Sequence, residues 1–241
     1  MQLFFVPDIN GNHAIDLPEE EARHCIQVLR KRPGDAISLV DGKGSFYEGV
    51  LESADKRSCR VAIRSSRTTP PRPFHLHLAV APTKQAERFE WMLEKITEIG
   101  VDEISPLLCR RSERDKIRAD RLEKILVSAM KQSVQATLPK LNPLAPLPEF
   151  IRACRAEQRF IAYVDDEQKN HLPGNCRPGG SVCILIGPEG DFHPAEIALA
   201  LENGFTPVSL GPTRLRTETA GMVAVHTVSL INLIQQEKIA L

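Results

Sequence analysis

Hydrophobic positions along the chain follow two regimes, and the change falls near residue 70. Before it, short apolar runs alternate with turn signals. The runs at 2–6, 36–41, 45–52 and 59–64 read as strands, separated by Pro33-Gly34-Asp35 and Asp41-Gly42-Lys43-Gly44. One helix interrupts them. It starts at Pro18 with Glu19, Glu20 and Glu21 and carries His24, Ile26, Val28 and Leu29. It ends on Arg30-Lys31-Arg32, a charge order that suits the helix dipole. Short strands with tight turns predict a small β-barrel over residues 1–68.

The stretch 65–73, SSRTTPPRP, is the expected linker: proline extends it and polar side chains keep it in water. From residue 74 to 241 strands and helices alternate, which predicts an α/β domain with a parallel sheet. Strands are expected at 76–81, 103–108 and 159–164, and helices at 84–99, 119–133, 149–156 and 194–202. The first helix places Phe89, Met92, Leu93 and Ile96 near helical spacing, with Gly100 as its stop. The second puts Leu122, Ile125, Leu126, Ala129 and Met130 on one face. The proline-rich stretch 138–148 reads as irregular.

Two further strands end in unusual loops. Val182, Cys183, Ile184, Leu185 and Ile186 are apolar at every position, as in a strand buried on both faces. That run breaks at Gly187-Pro188-Glu189-Gly190. Val208, Ser209 and Leu210 form the second strand, which stops at Gly211-Pro212. Residues 213–220, TRLRTETA, then lead into an apolar helix to about residue 238. Ligands of open α/β sheets sit outside the carboxyl ends of strands, so the candidate site lies at these two loops. The last helix carries Val223, Val225, Val228, Leu230, Ile231, Leu233 and Ile234 on more than one face, so it is expected to be buried all round.

Composition narrows the choice of function. The chain has 241 residues, 42% hydrophobic and 26% charged, an ordinary globular balance. No apolar run approaches a bilayer span, and the first residues lack the charged and apolar regions of a signal peptide, so a cytoplasmic location without membrane contact is expected. Six cysteines without a CxxC pair argue against zinc or another metal and against a disulfide scaffold; buried thiols are expected. Net charge is zero, so any nucleic-acid contact needs locally concentrated cations. The GxGxxG, GxxxxGK[ST], GxSxG and HExxH motifs are all missing.

Three segments carry a resemblance: LIGPEGDF at 185–192, LGPTRLRTETA at 210–220 and HCIQVLR at 24–30. Together, in this order, they resemble the signature segments of the RsmE family, bacterial 16S ribosomal RNA (uracil-N3) methyltransferases of the SPOUT class. The resemblance spans nearly the whole chain. The family pattern reads PEGGF where this chain has Asp191, a residue that tolerates a left-handed backbone better than most. The resemblance implies a trefoil-knotted domain over 74–241 that binds S-adenosyl-L-methionine, preceded by a PUA-like RNA-binding barrel. It also implies a homodimer acting on 16S rRNA within the small ribosomal subunit.

The residues agree with that implication. Gly187, Gly190 and Gly211 permit close approach of backbone to a ligand, although glycines that serve only turns explain the same loops. Leu185, Ile186, Leu210 and Leu215 can sandwich an adenine. Pro188, Glu189, Ser209, Arg216, Thr217, Thr219 and Ala220 complete the implied cofactor site, and Glu189 can also hold its loop by accepting backbone hydrogen bonds. Arg216 and Glu218 are the candidate catalytic residues; a surface ion pair, or a helix-start preference of Glu218, competes with that role. Arg23, His24 and Arg30 are candidates for RNA contact, as are Arg110, Arg111 and Arg114 within the basic run 110–121. Two other functions fit the chain: a SPOUT enzyme acting on another RNA target or a ribose 2′-oxygen, and a non-catalytic RNA-binding assembly factor.

Overall fold

A computed structural model describes residues 2–9, 11–55, 58–164 and 170–240. The chain divides into two compact units, residues 1–71 with 127–138, and residues 72–126 with 139–241.

The first unit is built on a five-stranded sheet in the order β1-β3-β4-β5-β2. Its strands are β1 (Leu3–Phe5), β2 (Ala14–Asp16), β3 (Ala36–Val40), β4 (Ser45–Ala54) and β5 (Cys59–Thr68). The β4–β5 hairpin is longer than the hydrophobic pattern predicts. Ser45, Phe46, Tyr47 and Glu48 pair with Thr68, Arg67, Ser66 and Ser65, so the first half of the expected linker is strand. Backbone pairing needs no apolar side chain, and residues 65–68 are exposed. Strand β2 lies in a stretch that carries no clear alternation. The predicted helix is short: α1 (Glu19–Arg23) passes into one π-helical turn over His24–Val28. Phe4, Ile9, Ile37, Leu39, Leu51 and Val61 fill the core of this unit. Residues 127–138, which pattern alone joins to the second domain, belong here; Met130 and Ala136 pack with Leu3, Val40 and Phe46.

The second unit carries a sheet ordered β12-β10-β11-β6-β7-β8, parallel throughout, with β9 beside β7. Its strands are β6 (Phe74–Val80), β7 (Glu103–Leu108), β8 (Lys140–Leu141), β9 (Ala145–Pro146), β10 (Gln158–Ala162), β11 (Gly180–Ile186) and β12 (Thr206–Val208). Its helices are α2 (Ala86–Ile99), α3 (Ala119–Gln132, whose last turns lie in the first unit), α4 (Leu147–Ala153), α5 (Leu172–Asn175), α6 (Pro194–Glu202) and α7 (Thr217–Ala240). The expected parallel sheet is therefore present. The stretch 138–148 is not wholly irregular, because two-residue strands β8 and β9 form within it. Strand β12 ends two residues before the predicted run does; Ser209 and Leu210 already belong to the loop.

Val182, Cys183, Ile184 and Leu185 are fully buried in the middle of the sheet, as an all-apolar strand requires. Gly100 ends α2 with φ 106°, a left-handed cap that glycine adopts without a Cβ clash. Helix α7 departs from expectation. Ala224, Val225 and Val228 are buried, whereas Leu230, Leu233 and Ile234 are 43%, 52% and 43% exposed. One face packs against α2 and the sheet, and the other is left open to solvent. All six cysteines are free and buried. Among the described residues, no helix is long and apolar enough to cross a membrane.

Candidate functional site

Three parallel strands end at one level. Ala162 of β10 pairs with Ile186 of β11 on one side and with Val208 of β12 on the other. Their loops therefore converge at the carboxyl edge of the sheet, where a doubly wound sheet places its ligands. They enclose a cavity of about 510 Å³. This volume falls within the range of small-molecule sites.

The sequence-predicted cofactor residues are mostly brought together here. Ile186, Gly187, Pro188 and Glu189 line one wall, and Ser209, Leu210, Gly211, Leu215, Arg216, Thr217 and Ala220 the other. Leu185, Gly190 and Thr219 do not line it. Leu185 is fully buried within the sheet, because its side chain joins the core on one face of β11. Gly190 packs instead against Arg111, 3.6 Å from where a Cβ would stand.

Individual contacts fix the loops. Thr217, buried at the start of α7, donates its hydroxyl to the Gly187 carbonyl at 3.0 Å, tying the two walls together. The Lys84 amide donates to Glu189 Oε1 at 2.8 Å, so Glu189 does hold its loop through backbone hydrogen bonding. Asp191 has φ 61°, the left-handed conformation. Its Oδ2 accepts from the Val164 amide at 2.9 Å and its Oδ1 from the Phe192 amide at 2.7 Å. The loop glycines differ in what they permit. At Gly187 a Cβ would stand 3.1 Å from the Phe192 ring, a tight contact that only a shift of that ring by a few tenths of an ångström would relieve. At Gly211, with φ 147°, a Cβ would meet nothing within 4 Å, so the space beside it opens into the cavity.

The two candidate catalytic residues lie differently. Arg216 is exposed, lines the cavity and makes no ion pair with a described residue. Glu218 is 8% exposed and does not line it. Its Oε1 lies 3.7 Å from Arg88 of α2, and its Oε2 has no hydrogen-bond partner among the described residues. Glu218 thus sits in the first turn of α7 as a buried carboxylate beside a cation.

The basic run is largely occupied with structure. Arg111 donates to the Gly190 and Phe192 carbonyls at 2.8 and 3.3 Å. Arg114 donates to the Thr83 and Lys84 carbonyls at 3.1 and 2.8 Å. Arg110 gives its amide to Glu196 at 2.8 Å, and Arg121 pairs with Glu90 at 2.6 Å. In the first unit, Arg23 is exposed and paired with Glu19 at 3.2 Å, and His24 lies 3.0 Å from the Gln2 amide nitrogen. Arg30, exposed, has φ 54° just past the π-helical turn.

Sequence reasoning missed Ala162, Tyr163, Val164 and His171, which line the cavity. They lie at or beyond the end of β10, whose end carries no glycine signal. The signal that could have found them is the strand-end rule applied to a third parallel strand.

Comparison with known proteins matches two families to successive parts of the chain. A family described as "RNA methyltransferase domain" matches residues 70–229, and one described as "RNA methyltransferase PUA domain" matches residues 17–64. The chain is 30% identical to ribosomal RNA small subunit methyltransferase E of Mycobacterium bovis, covering 95% of this chain and 91% of that protein. A crystal structure of a probable rRNA-methyltransferase from Porphyromonas gingivalis matches with a TM-score of 0.90 and 45% identity, over 98% of this chain and 100% of that one. A crystal structure of ribosomal RNA small subunit methyltransferase E from Neisseria gonorrhoeae, bound to S-adenosyl methionine, matches with a TM-score of 0.84 and 31% identity, over 96% and 98%.

Proposed function

This chain belongs to the ribosomal RNA small subunit methyltransferase E family, and from that premise we propose that it methylates N3 of one uridine of 16S rRNA within the small ribosomal subunit. It is an S-adenosylmethionine-dependent rRNA methyltransferase. The observation that carries the site assignment is the cavity at the level ends of β10, β11 and β12, with Arg216 exposed in its wall.

The lining fits the cofactor. Ile186, Leu210 and Leu215 offer apolar contacts to a planar base, and the open space beside Gly211 admits close approach to backbone. Gly187, Pro188, Glu189, Ser209, Arg216, Thr217 and Ala220 complete the proposed shell. Bound there, S-adenosylmethionine supplies an electrophilic methyl group on a sulfonium.

The chain's own task is at the uracil. N3 must lose a proton before or during attack, and the charge that develops spreads over two flanking carbonyls. Arg216 stabilises that charge as a cation and donor at a carbonyl oxygen. Glu218, paired with Arg88 behind the wall, orients this end of α7 or accepts the proton. The loops held by Thr217–Gly187 and Lys84–Glu189 would hold the cofactor and the uracil in place for transfer. The target base is unstacked from the RNA to reach the strand ends.

In this reading the first unit is the PUA-like RNA-binding domain, and its five-stranded sheet supports the small barrel of that kind of domain. Arg23, His24 and Arg30 meet RNA phosphate or bases there. The second unit is the SPOUT domain with its trefoil knot; the strand order β12-β10-β11-β6-β7, with α7 returning to pack on α2, supports that path. Arg110, Arg111 and Arg114 add positive charge while they hold the loops. The exposed Leu230, Leu233 and Ile234 of α7 support a homodimer. The enzyme works in the cytoplasm. Mass spectrometry of rRNA nucleosides from a strain lacking the protein tests the reading: N3-methyluridine should disappear from 16S rRNA, and its persistence would refute it.

A further inference from the structure

A second cavity, of about 640 Å³, opens at the amino ends of the same parallel strands and shares no lining residue with the site above. His77 of β6, Glu103 of β7 and Lys140 of β8 give it a polar side. Register puts them in a row: His77 stands beside Glu103, and Glu103 beside Lys140. Phe150 and Ala153 of α4 and Ala145 of β9 supply apolar lining. The Phe150 ring meets the His77 ring edge-on, with centroids 5.3 Å apart and planes at 78°.

Hydrogen bonds decide what the polar side presents. The Asn142 amide nitrogen donates to Glu103 Oε1 and to Ser105 Oγ, both at 2.8 Å. Lys140 Nζ donates to the same Oε1 at 2.9 Å. Ser105 is buried, and among the described residues its hydroxyl hydrogen has one acceptor, His77 Nε2 at 2.8 Å. His77 therefore carries its own proton on Nδ1. Burial brings that imidazole down to about 4, so the ring is neutral near pH 7. Nδ1 lies 3.9 Å from Glu103 Oε2, and His75 Nε2 lies 3.6 Å from it, both beyond hydrogen-bond length. Oε2 accepts from no described residue. An N–H donor and a carboxylate acceptor thus stand side by side at one cavity wall, and neither satisfies the other.

We propose that this cavity is a second ligand site, for a nucleobase held by its amide or amidine edge. Such an edge carries an N–H and a lone pair on neighbouring groups, as at the amine and ring nitrogen of cytosine. The N–H meets Glu103 Oε2, the contact by which carboxylates read a cytosine amine. The lone pair meets the His77 Nδ1–H. The flat faces of the ring lie against Phe150 and Ala145. Lys140, exposed at the rim, suits a phosphate on the sugar. The strand-end rule places no ligand at amino ends, so the donor–acceptor pair is what marks this cavity. Glu103 stays below its ordinary carboxylate range although burial opposes its charge, because Asn142 and Lys140 hold it ionised. A bound edge would offset that burial at Oε2. A free nucleotide and an unpaired base of RNA both carry this edge, and the test separates them.

The test is calorimetry on the full-length protein saturated with adenosylhomocysteine, which keeps nucleosides out of the first cavity. Uptake of adenosylhomocysteine is read beforehand on the same sample, so failure of the first site and failure of this one are distinguishable. Cytidine should bind. Its N4,N4-dimethyl analogue, which has no amine hydrogen, should bind at least about tenfold more weakly, the loss expected for one hydrogen bond to a charged group. Glu103→Gln keeps an oxygen for Lys140 and Asn142 and turns the Oε2 position into a donor, so it should weaken cytidine by a similar factor. Ala153→Trp, at an exposed position of α4, should fill the cavity and abolish binding without touching the polar row. Tighter binding of a short oligocytidylate than of cytidine monophosphate assigns the site to RNA, and the reverse order assigns it to free nucleotides. Absence of cytidine binding at millimolar concentration would overturn the proposal, and so would equal affinity for the dimethyl analogue. Both are read on the unsubstituted protein, so they decide the matter even if Glu103→Gln does not fold.

Discussion

The carboxylate of Asp191 accepts a hydrogen bond from the Val164 amide at 2.9 Å, joining the loop after β11 to the end of β10. Asp191 does this from a left-handed backbone, where the family pattern has glycine. The substitution exchanges glycine's conformational freedom for a side-chain tie between two walls of the cavity. Replacing Asp191 with alanine removes the tie and keeps the strained backbone, so it should destabilise the protein by about 2 kcal/mol. Asp191→Gly loses the tie but not the conformation and should cost about half as much, on the order of 1 kcal/mol. Urea unfolding of both variants measures the difference; equal losses would mean that backbone conformation is not a factor.

Gly211 borders open space in the cavity, with nothing within 4 Å of where a Cβ would stand. Gly211→Val should therefore fill the ligand space and, because φ is 147° there, also strain the loop backbone that borders it. Affinity for adenosylhomocysteine should fall at least about tenfold, about 1.4 kcal/mol. Calorimetry on the folded variant checks this, and unchanged affinity would remove the loop from the site.

Arg216 is exposed in the wall and is assigned the developing uracil charge. Arg216→Ala should lower kcat by about 100- to 1000-fold, the usual effect of losing one stabilising donor, with adenosylhomocysteine affinity changed only a few-fold. The wild-type rate should rise with pH while N3 keeps its proton. Single-turnover methylation of small subunits, alongside calorimetry, separates the two effects.

His77 makes stability depend on pH. Burial lowers its imidazole to about 4, below the ordinary 6.5, with the Glu103 charge opposing and His75 and Lys140 adding to the shift. Its Nε2 lies 2.8 Å from Ser105 Oγ. Between these two values the unfolded chain binds the proton and the folded one does not, so stability falls as pH falls through that window. Full expression of the shift is worth up to about 3 kcal/mol. Glu103, held below its ordinary value although burial opposes this, loses its share at still lower pH as hydrogen bonds from Asn142 and Lys140 are given up. Denaturant unfolding from neutral pH down should show this loss, and His77→Gln should flatten the upper part of it.

Much of this fold was legible because each signal was local. Val182 to Ile186 had to be a doubly buried strand, and Gly100 had to stop α2. The two glycine loops could be placed at strand ends from sequence alone. What escaped was non-local. Residues 65–68 form strand because β4 offers them a backbone partner, not because their side chains are apolar. Residues 127–138 join the first unit through Met130 and Ala136, which a helical pattern cannot assign to a partner. The basic run looked like a field for RNA, yet Arg111 and Arg114 bond to specific carbonyls of distant loops. Tyr163 enters the cavity just past the end of β10, and His171 through a parallel bridge to Ser209.

The central claim is the atom that receives the methyl group. Small ribosomal subunits purified from a strain lacking this protein, incubated with the enzyme and methyl-labelled S-adenosylmethionine, then digested to nucleosides and resolved by mass spectrometry, test it most directly. The account predicts label in N3-methyluridine from 16S rRNA at a single position. Label in a ribose 2′-O-methyl nucleoside, or none in 16S rRNA, would contradict it.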